Sequence, residues 1–199
     1  IAQVLGVAKD LYLGKPGDDT TVSIAHIMMP QTVSLFSGPP KNSEDDAKLV
    51  SEYMATEGLH IVSGGTSSEI LSREIKKPLH VNIDYTNSDI PPTAVIEGID
   101  LVTEGVMTLK RVIELLESYA VRPAKPETTA ALDEADGAAK LAKLLIERCT
   151  KLKLFIGKAV NPAHQNPDFP TELRVKWHLL DDLGTAMQKL GREVEKKYY

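Results

Sequence analysis

The sequence has few of the features that mark secreted, membrane-spanning or nucleic-acid-binding proteins. Cys149 is the one cysteine among 199 residues, so no internal disulfide can form and a cytoplasmic protein is favoured over a secreted one. No apolar run approaches the roughly 20 residues that a transmembrane helix needs. Acidic residues outnumber basic ones by 28 to 23, which gives a net charge of −5. We therefore expect neither a membrane nor a nucleic acid among the partners of this chain.

The sequence shows no internal repeats or low-complexity tracts, and its opening segment does not have the charged n-region of a signal peptide. Its first residue is Ile1, and the segment after it already has the apolar spacing of a helix interior, with no cap before it. We therefore expect the chain to begin inside a larger protein. The pattern changes around residues 28–30, and we place a domain boundary between residues 1–29 and residues 30–199.

Short apolar segments alternate with helical ones from Thr32 onward. Strands are predicted at residues 33–36, 59–62, 79–83, 152–156 and 194–199, and helices at residues 43–58, 69–75, 108–118, 137–149 and 171–190. Strands separated by helical segments of about ten or more residues pair in parallel through crossovers. The sequence therefore predicts an α/β fold, a layered and mainly parallel sheet with helices on both faces. Residues 122–134 are predicted to be an exposed crossing, and residues 20–27 an earlier strand that follows a helix.

Four polar or glycine-rich loops are predicted to meet at one edge of this sheet, namely residues 38–40, 64–68, 97–100 and 161–168. In an open parallel sheet, ligands bind beyond the carboxyl ends of the strands. The candidate ligand-binding residues in these loops are Gly38, Gly64, Gly65, Thr66, Ser67, Glu97, Asp100, Asn161, His164 and Asn166. Their amides and hydroxyls suit phosphate or carboxylate, whereas the two acids suit a hydroxyl or an amine. The predicted ligand is a small polar metabolite or nucleotide with an anionic end.

The segment Gly64-Gly65-Thr66-Ser67-Ser68 allows two interpretations. Its glycines let the backbone approach a ligand, and the amides at the start of the following helix favour an anion. The alternative is a tight turn with a Ser or Thr helix cap. The lysine and glycine spacings of a Walker loop or of a dinucleotide fingerprint are missing.

The other candidate residues also allow a structural role. His164 fits a general base, a metal ligand or a loop hydrogen-bonding residue, and no second His or Cys stands at ligand spacing. Glu97, Asp100 and Glu104 lie close together in the chain, either as solvated acids or as a metal or acid/base cluster.

Two adjacent carboxylates, Asp18 and Asp19, open the predicted strand at residues 20–27. Carboxylate oxygens are the ligands that Mg²⁺ or Mn²⁺ needs, with waters completing the shell. In the alternative interpretation, Gly17 and Asp18 simply form the bend.

The chain resembles the last helix and strand of the catalytic domain in one protein family. The resemblance covers the opening helix and the segment Gly17-Asp18-Asp19-Thr20-Thr21-Val22-Ser23-Ile24. That family is the SpoIIE-like branch of bacterial metal-dependent (PPM-type) serine/threonine protein phosphatases, whose catalytic domain ends in an Asp-Asp-x-Thr-Val motif. Residues 36–40, 64–66, 96–105 and 161–167 resemble the C-terminal extension of one bacterial subgroup of these enzymes. Together these segments cover most of the chain.

The resemblance implies that residues 1–29 are the C-terminal end of a phosphatase-type sandwich and that residues 30–199 are an α/β extension domain. It implies that Asp18 is a metal ligand, that Asp19 lies beside the metal centre, and that the complete enzyme uses Mn²⁺ or Mg²⁺. The other carboxylates of the two-metal site lie upstream in such enzymes. A bimetal centre activates water and clamps phosphoryl oxygens, so we expect this chain alone to be inactive.

Two functions remain open. The first is the C-terminal portion of a protein phosphatase that hydrolyses phosphoprotein monoesters when complete. The second is a non-enzymatic regulatory domain that binds a small anionic metabolite or nucleotide. A purely structural dimerisation domain would leave the polar loops unexplained, although a homodimer is compatible with both functions. An upstream Asp-Gly motif followed by Gly-Ala-Asp would favour the first.

Overall fold

The structure is a computed structural model that describes residues 2–13, 15, 17, 23, 25, 27, 29–82, 91–121, 125–159 and 172–199. Its helices are α1 (Ala2–Leu11), α2 (Asp46–Met54), α3 (Gly65–Ile75), α4 (Val106–Val121), α5 (Pro126–Leu132), α6 (Gly137–Arg148) and α7 (Glu172–Lys189). Its strands are β1 (Thr32–Ser37), β2 (Leu59–Ser63), β3 (His80–Val81), β4 (Ala94–Val95), β5 (Leu101–Thr103), β6 (Lys151–Ile156) and β7 (Glu193–Tyr198). Within these described ranges, no helix combines the length and the apolar character needed to cross a membrane.

The described strands form one sheet in the order β3-β4-β5-β2-β1-β6-β7. Strands β5, β2, β1, β6 and β7 are parallel, and the short strands β4 and β3 continue the sheet in antiparallel pairing. The predicted α/β fold with a mainly parallel sheet is therefore confirmed. The strand order reverses at β1, because β2 and β5 lie on one side of it and β6 and β7 on the other.

Helices cover both faces of the sheet, so the central strands are buried on both sides. Successive side chains of β1 point to opposite faces, and Leu35 and Phe36 accordingly belong to two separate apolar clusters. The cluster of Phe36 includes α2 and α3, and the cluster of Leu35 includes α4, α6 and α7. Burial on both faces explains why the sequences of the central strands are mainly apolar and do not alternate regularly between apolar and polar residues.

The structure corrects several predicted boundaries. Helix α3 begins at Gly65 rather than at Glu69, so the predicted glycine-rich loop is partly the first turn of a helix. The predicted exposed crossing contains α5, whose start carries Pro126 and Glu127, two residues that suit the first turn of a helix. The helix predicted at residues 43–58 is shorter, because Ser43 lies in a 3₁₀ turn that precedes α2, and α2 ends at Met54.

The sequence analysis predicts no strand at residues 101–103, where the structure has β5. Strand β5 has three residues, Leu101 to Thr103, which is too short to show a period. It nevertheless pairs with β2 in the central part of the sheet. The predicted strand at residues 20–27 falls mostly outside the described residues, as do the polar loop at 161–168 and Thr171, the first residue of the last predicted helix.

Candidate functional site

The carboxyl ends of β1, β2 and β5 are joined by hydrogen bonds from serine side chains. The Ser37 hydroxyl donates to the carbonyl oxygen of Ser63 over 2.8 Å, and the Ser63 hydroxyl donates to the carbonyl oxygen of Glu104 over 2.9 Å. All three strands therefore end at one edge of the sheet, as parallel pairing requires. This edge is where a ligand site is expected in an open α/β sheet.

Helix α3 begins at this edge with an N-terminus that no side chain caps. Gly64 occupies the cap position at φ +116°, a backbone conformation that suits glycine, and the first helical bond runs from the Ser68 amide to the Gly64 carbonyl over 3.0 Å. Gly65 and Thr66 are exposed, whereas Ser67 is fully buried. The predicted Ser or Thr cap is therefore not formed, and the first-turn amides point toward the edge of the sheet.

The two buried serines of α3 have other partners. The Ser67 hydroxyl oxygen accepts a hydrogen bond from the Gly38 amide over 2.7 Å, and the Ser68 hydroxyl donates to the Gly64 carbonyl oxygen over 2.9 Å. Five of the predicted site residues thus lie together at one edge, namely Gly38, Gly64, Gly65, Thr66 and Ser67. Ser67 holds the loop after β1 against the helix rather than facing solvent.

The loops after β1 and β6 are in contact where the strand order reverses. A Cβ on Gly157 would lie 2.1 Å from the carbonyl oxygen of Pro39, so only glycine fits there. The Ala159 amide donates to the same Pro39 oxygen over 3.0 Å. The segment that carries Asn161, His164 and Asn166 therefore follows directly after residues at this edge, although these three residues lie outside the described ones.

Glu97 and Asp100 are at the opposite end of the sheet, and the prediction that they share the edge with Gly38 is wrong. They precede β5, and the Asp100 carboxylate accepts a hydrogen bond from the amide of His60, near the start of β2, over 2.8 Å. Glu97 is exposed and forms an ion pair with Lys77 at 2.9 Å. The error follows from missing β5, because a strand there places the preceding turn at its amino end.

Glu104 is the acid that the structure does bring to the carboxyl edge. Its Oε2 atom is buried and has no hydrogen-bond partner, and the same holds for the Oγ1 atoms of Thr103 and Thr108 in this part of the described chain. Leaving a buried polar atom without a partner costs about 1–3 kcal/mol, more for a charged group. Two of these residues, Thr103 and Glu104, also line a cavity at this edge.

A cavity of about 220 Å³ lies beside the first turn of α3. Its polar end consists of Gly65, Ser68, Thr103 and Glu104. The rest of its lining, which we call the apolar wall, consists of Leu79, Val81, Pro91, Pro92, Ala94 and Val102. The sequence analysis did not identify the apolar wall, since its residues come from three separate segments that only the sheet brings together.

The cavity has few ionisable side chains among the described residues that line it. Among the described residues that line it, Glu104 is the single ionisable one. Burial raises the pKa of the Cys149 thiol to about 12 and Cys149 lies in the core of the opposite face, so it offers no reactive thiolate. The described part of the chain holds no group of three or more His, Cys, Asp or Glu that suits a metal ion. Asp18 and Asp19 lie outside that part.

Comparison of the whole chain with protein-family models, curated proteins and solved structures yields no match.

Proposed function

We propose that residues 30–199 form a regulatory α/β domain that binds a small anionic metabolite at the carboxyl edge of its sheet. The observation that carries this proposal is the uncapped, exposed N-terminus of α3. Backbone amides and the positive end of the helix dipole favour an anion at such a position. The eleven-residue length of α3 is sufficient for that dipole to develop.

The surroundings of the helix N-terminus support binding as well. Thr103 and Glu104, each of which has one buried oxygen without a partner, line the cavity that Gly65 borders, so a bound molecule would meet both acceptors and donors there. A volume of about 220 Å³ is below the roughly 300–1,000 Å³ of pockets for drug-sized ligands, which favours a small metabolite over a nucleotide. Asn161, His164 and Asn166 remain predicted contributors to the same edge.

Isothermal titration calorimetry of the 199-residue chain tests this function. The panel of candidate ligands consists of acetate, inorganic phosphate, sugar phosphates, nucleotides and amino acids. Replacing Thr66 with Val removes an exposed hydroxyl at the helix N-terminus, and we expect about three- to ten-fold weaker binding of the ligand found. Thr185→Val, on the exposed side of α7, is the matched control and leaves binding unchanged. A chain that binds nothing in the panel would contradict the proposal.

A second function concerns residues 1–29, which we propose to be the end of a metal-dependent protein phosphatase domain. The observation that favours it is α1, in which Val4, Val7 and Leu11 are 55%, 61% and 78% exposed. A helix with this much exposed apolar surface fits one that packs against the rest of a sandwich. Asp18 would then provide a metal ligand and Asp19 would lie beside the Mn²⁺ or Mg²⁺ centre.

This second proposal is tested in a chain that carries the upstream catalytic region. Asp18→Asn removes one charged oxygen ligand, so we expect Mn²⁺-dependent hydrolysis of a phosphopeptide to be lost while the protein stays folded. Asp10→Asn, an exposed acid of α1, is the control and keeps full activity. Equal activity of the two variants would refute the role of Asp18.

A further inference from the structure

We propose that the ligand of the cavity beside α3 is a small aliphatic α-amino acid. Its carboxylate binds at the N-terminus of α3, its ammonium group binds Glu104, and its side chain lies against the apolar wall. This inference rests on the proposed binding function of residues 30–199 and names the ligand class.

The first step of the argument is the carboxylate of Glu104. Glu104 lines the cavity, and the Oε2 atom of its carboxylate is buried and has no partner among the described residues. A carboxylate removed from water requires a cation or hydrogen-bond donors. A simple anion such as phosphate would be repelled by it, whereas an ammonium group supplies both a charge and donors. Thr103, which is 4% exposed, adds a second unpartnered oxygen beside it.

The second step is the helix N-terminus on the other side of the cavity's polar end. Gly65 lines the cavity, and a Cβ built on it would meet no atom within 4 Å, so its backbone is open to a ligand. The uncapped amides there favour a carboxylate. A hydrogen bond from the Gly64 amide to the Thr103 carbonyl, 2.9 Å long, fixes the start of α3 next to the end of β5. An anion site and a cation site therefore lie side by side, as the two charged groups of an α-amino acid do.

The third step is the apolar wall. Three proline and alanine side chains and three larger aliphatic ones line the cavity away from its polar end. Burial of a hydrocarbon side chain against them is favourable, whereas a sugar or a second charged group would lose its hydration there. The volume of about 220 Å³ suits a molecule of the size of leucine or valine and is too small for a nucleotide.

The test is calorimetry of the 199-residue chain with L-leucine and with its two truncated relatives. Isocaproate is leucine without the ammonium group, and isoamylamine is leucine without the carboxylate. We expect L-leucine to bind, and each truncated molecule to bind at least about ten-fold more weakly, since each leaves one of the two charged sites unfilled.

Glu104→Gln keeps the shape of the side chain and removes its charge. We expect L-leucine to bind about thirty-fold or more weakly to this variant, and isocaproate to bind no more weakly than before, because only leucine carries the group that pairs with Glu104. Retained isocaproate binding also shows that the variant is folded. If both molecules lose affinity equally, Glu104 does not bind the ammonium group and the inference fails.

Gly65→Ala places a methyl group in the open space beside the helix N-terminus. Because alanine favours a helix more than glycine does, the variant should fold at least as well as the original chain. We expect it to lose L-leucine binding by about ten-fold or more, as the methyl group occupies the position of the carboxylate. Gly6→Ala, also helical and also without a neighbour within 4 Å of the added Cβ, is the control and binds normally.

The outcomes separate this inference from the proposed function. Binding of a phosphate or a sugar phosphate that Gly65→Ala abolishes, with no binding of L-leucine, overturns the amino-acid assignment and keeps the anion-binding function. Absence of binding by every compound overturns both. Leucine binding that Gly65→Ala leaves intact overturns the assignment of the site.

Discussion

Tyr199 directly follows strand β7 and contacts both helix α2 and the apolar core. Its hydroxyl donates to Glu52 Oε2 over 2.5 Å, and Lys197 forms an ion pair with the same carboxylate. Its ring is stacked on that of Phe155 at a centroid distance of 6.2 Å. The Lys197 and Tyr199 hydrogen bonds lower the pKa of Glu52, and burial together with the Glu52 hydrogen bond raises the pKa of Tyr199 to about 12.

Tyr199→Phe keeps the stacked ring and removes the hydroxyl, so we predict a loss of about 1 kcal/mol in the free energy of unfolding at neutral pH. The raised pKa predicts a second effect. Between the ordinary value of 10 and about 12, the unfolded chain releases the phenolic proton while the folded chain keeps it, so stability falls as pH rises. Tyr199→Phe should lose the part of the decrease in stability at alkaline pH that comes from Tyr199. The part that comes from buried Tyr53, whose pKa is also raised, should remain.

Urea unfolding measured from pH 8 upward checks both effects. Tyr198→Phe, on a half-exposed neighbouring ring, is the control, and its alkaline decline should match that of the original chain. An equal decline for Tyr199→Phe and the original chain would show that Tyr199 titrates normally in the folded protein.

At the scale of elements, α6 and α3 differ in how their N-termini are satisfied. The Asp136 side chain caps α6, accepting hydrogen bonds from the amides of Ala138 and Ala139, both 2.8 Å long. Helix α3 begins with glycines and has no such cap. Helices α2 and α5 likewise have no hydrogen bond from an N-cap side chain, so α6 is the exception among these four helices.

Replacing Asp136 with Ala leaves the first amides of α6 without their acceptor. We predict a loss of about 1 kcal/mol in the free energy of unfolding, within a range of about 0.5–2 kcal/mol. Asp136→Asn retains a capping oxygen and should cost clearly less. Thermal unfolding of the two variants side by side provides the measurement, and equal destabilisation by both would mean that the cap is not the reason for the loss.

At the scale of the whole molecule, one sheet separates two apolar clusters, and β1 contributes to both. Leu35 is fully buried in the larger cluster, beneath α4, α6 and α7. Every ion pair described has at least one substantially exposed partner, so these pairs contribute little individually. The fold therefore depends mainly on covering both faces of the sheet.

Leu35→Ala should cost about 2–5 kcal/mol in the free energy of unfolding, because it removes buried carbon atoms and leaves a cavity that the neighbouring strands cannot fill. Leu11→Ala, the same change at a residue that is 78% exposed, should stay within about 0.5 kcal/mol of the original chain. Denaturant titration of the two variants decides between a tightly packed sheet and a loosely packed one. Similar losses in the free energy of unfolding for Leu35→Ala and Leu11→Ala would indicate a loosely packed sheet.

The sequence alone determined the class of fold and the greater part of the elements. Apolar runs such as Leu59-His60-Ile61-Val62 between amphipathic helices indicate parallel strands, since burial and crossover geometry leave little choice. It also predicted that the loops that carry Gly38 and Ser67 would lie at one edge of the sheet, because parallel strands end at one edge whatever their order.

Only the tertiary structure decided where the acids lie and where the cavity forms. A three-residue strand such as β5 has no detectable period of its own and exists because β2 offers it a partner. Because β5 lies between Asp100 and Glu104 in the chain, that pairing places Asp100 at one end of the sheet and Glu104 at the other. The apolar wall likewise joins residues from separate segments, and no local pattern specifies that they will face one another. Local sequence patterns thus determine most of the helices and strands, whereas pairing between strands that are distant in sequence determines where the candidate site forms.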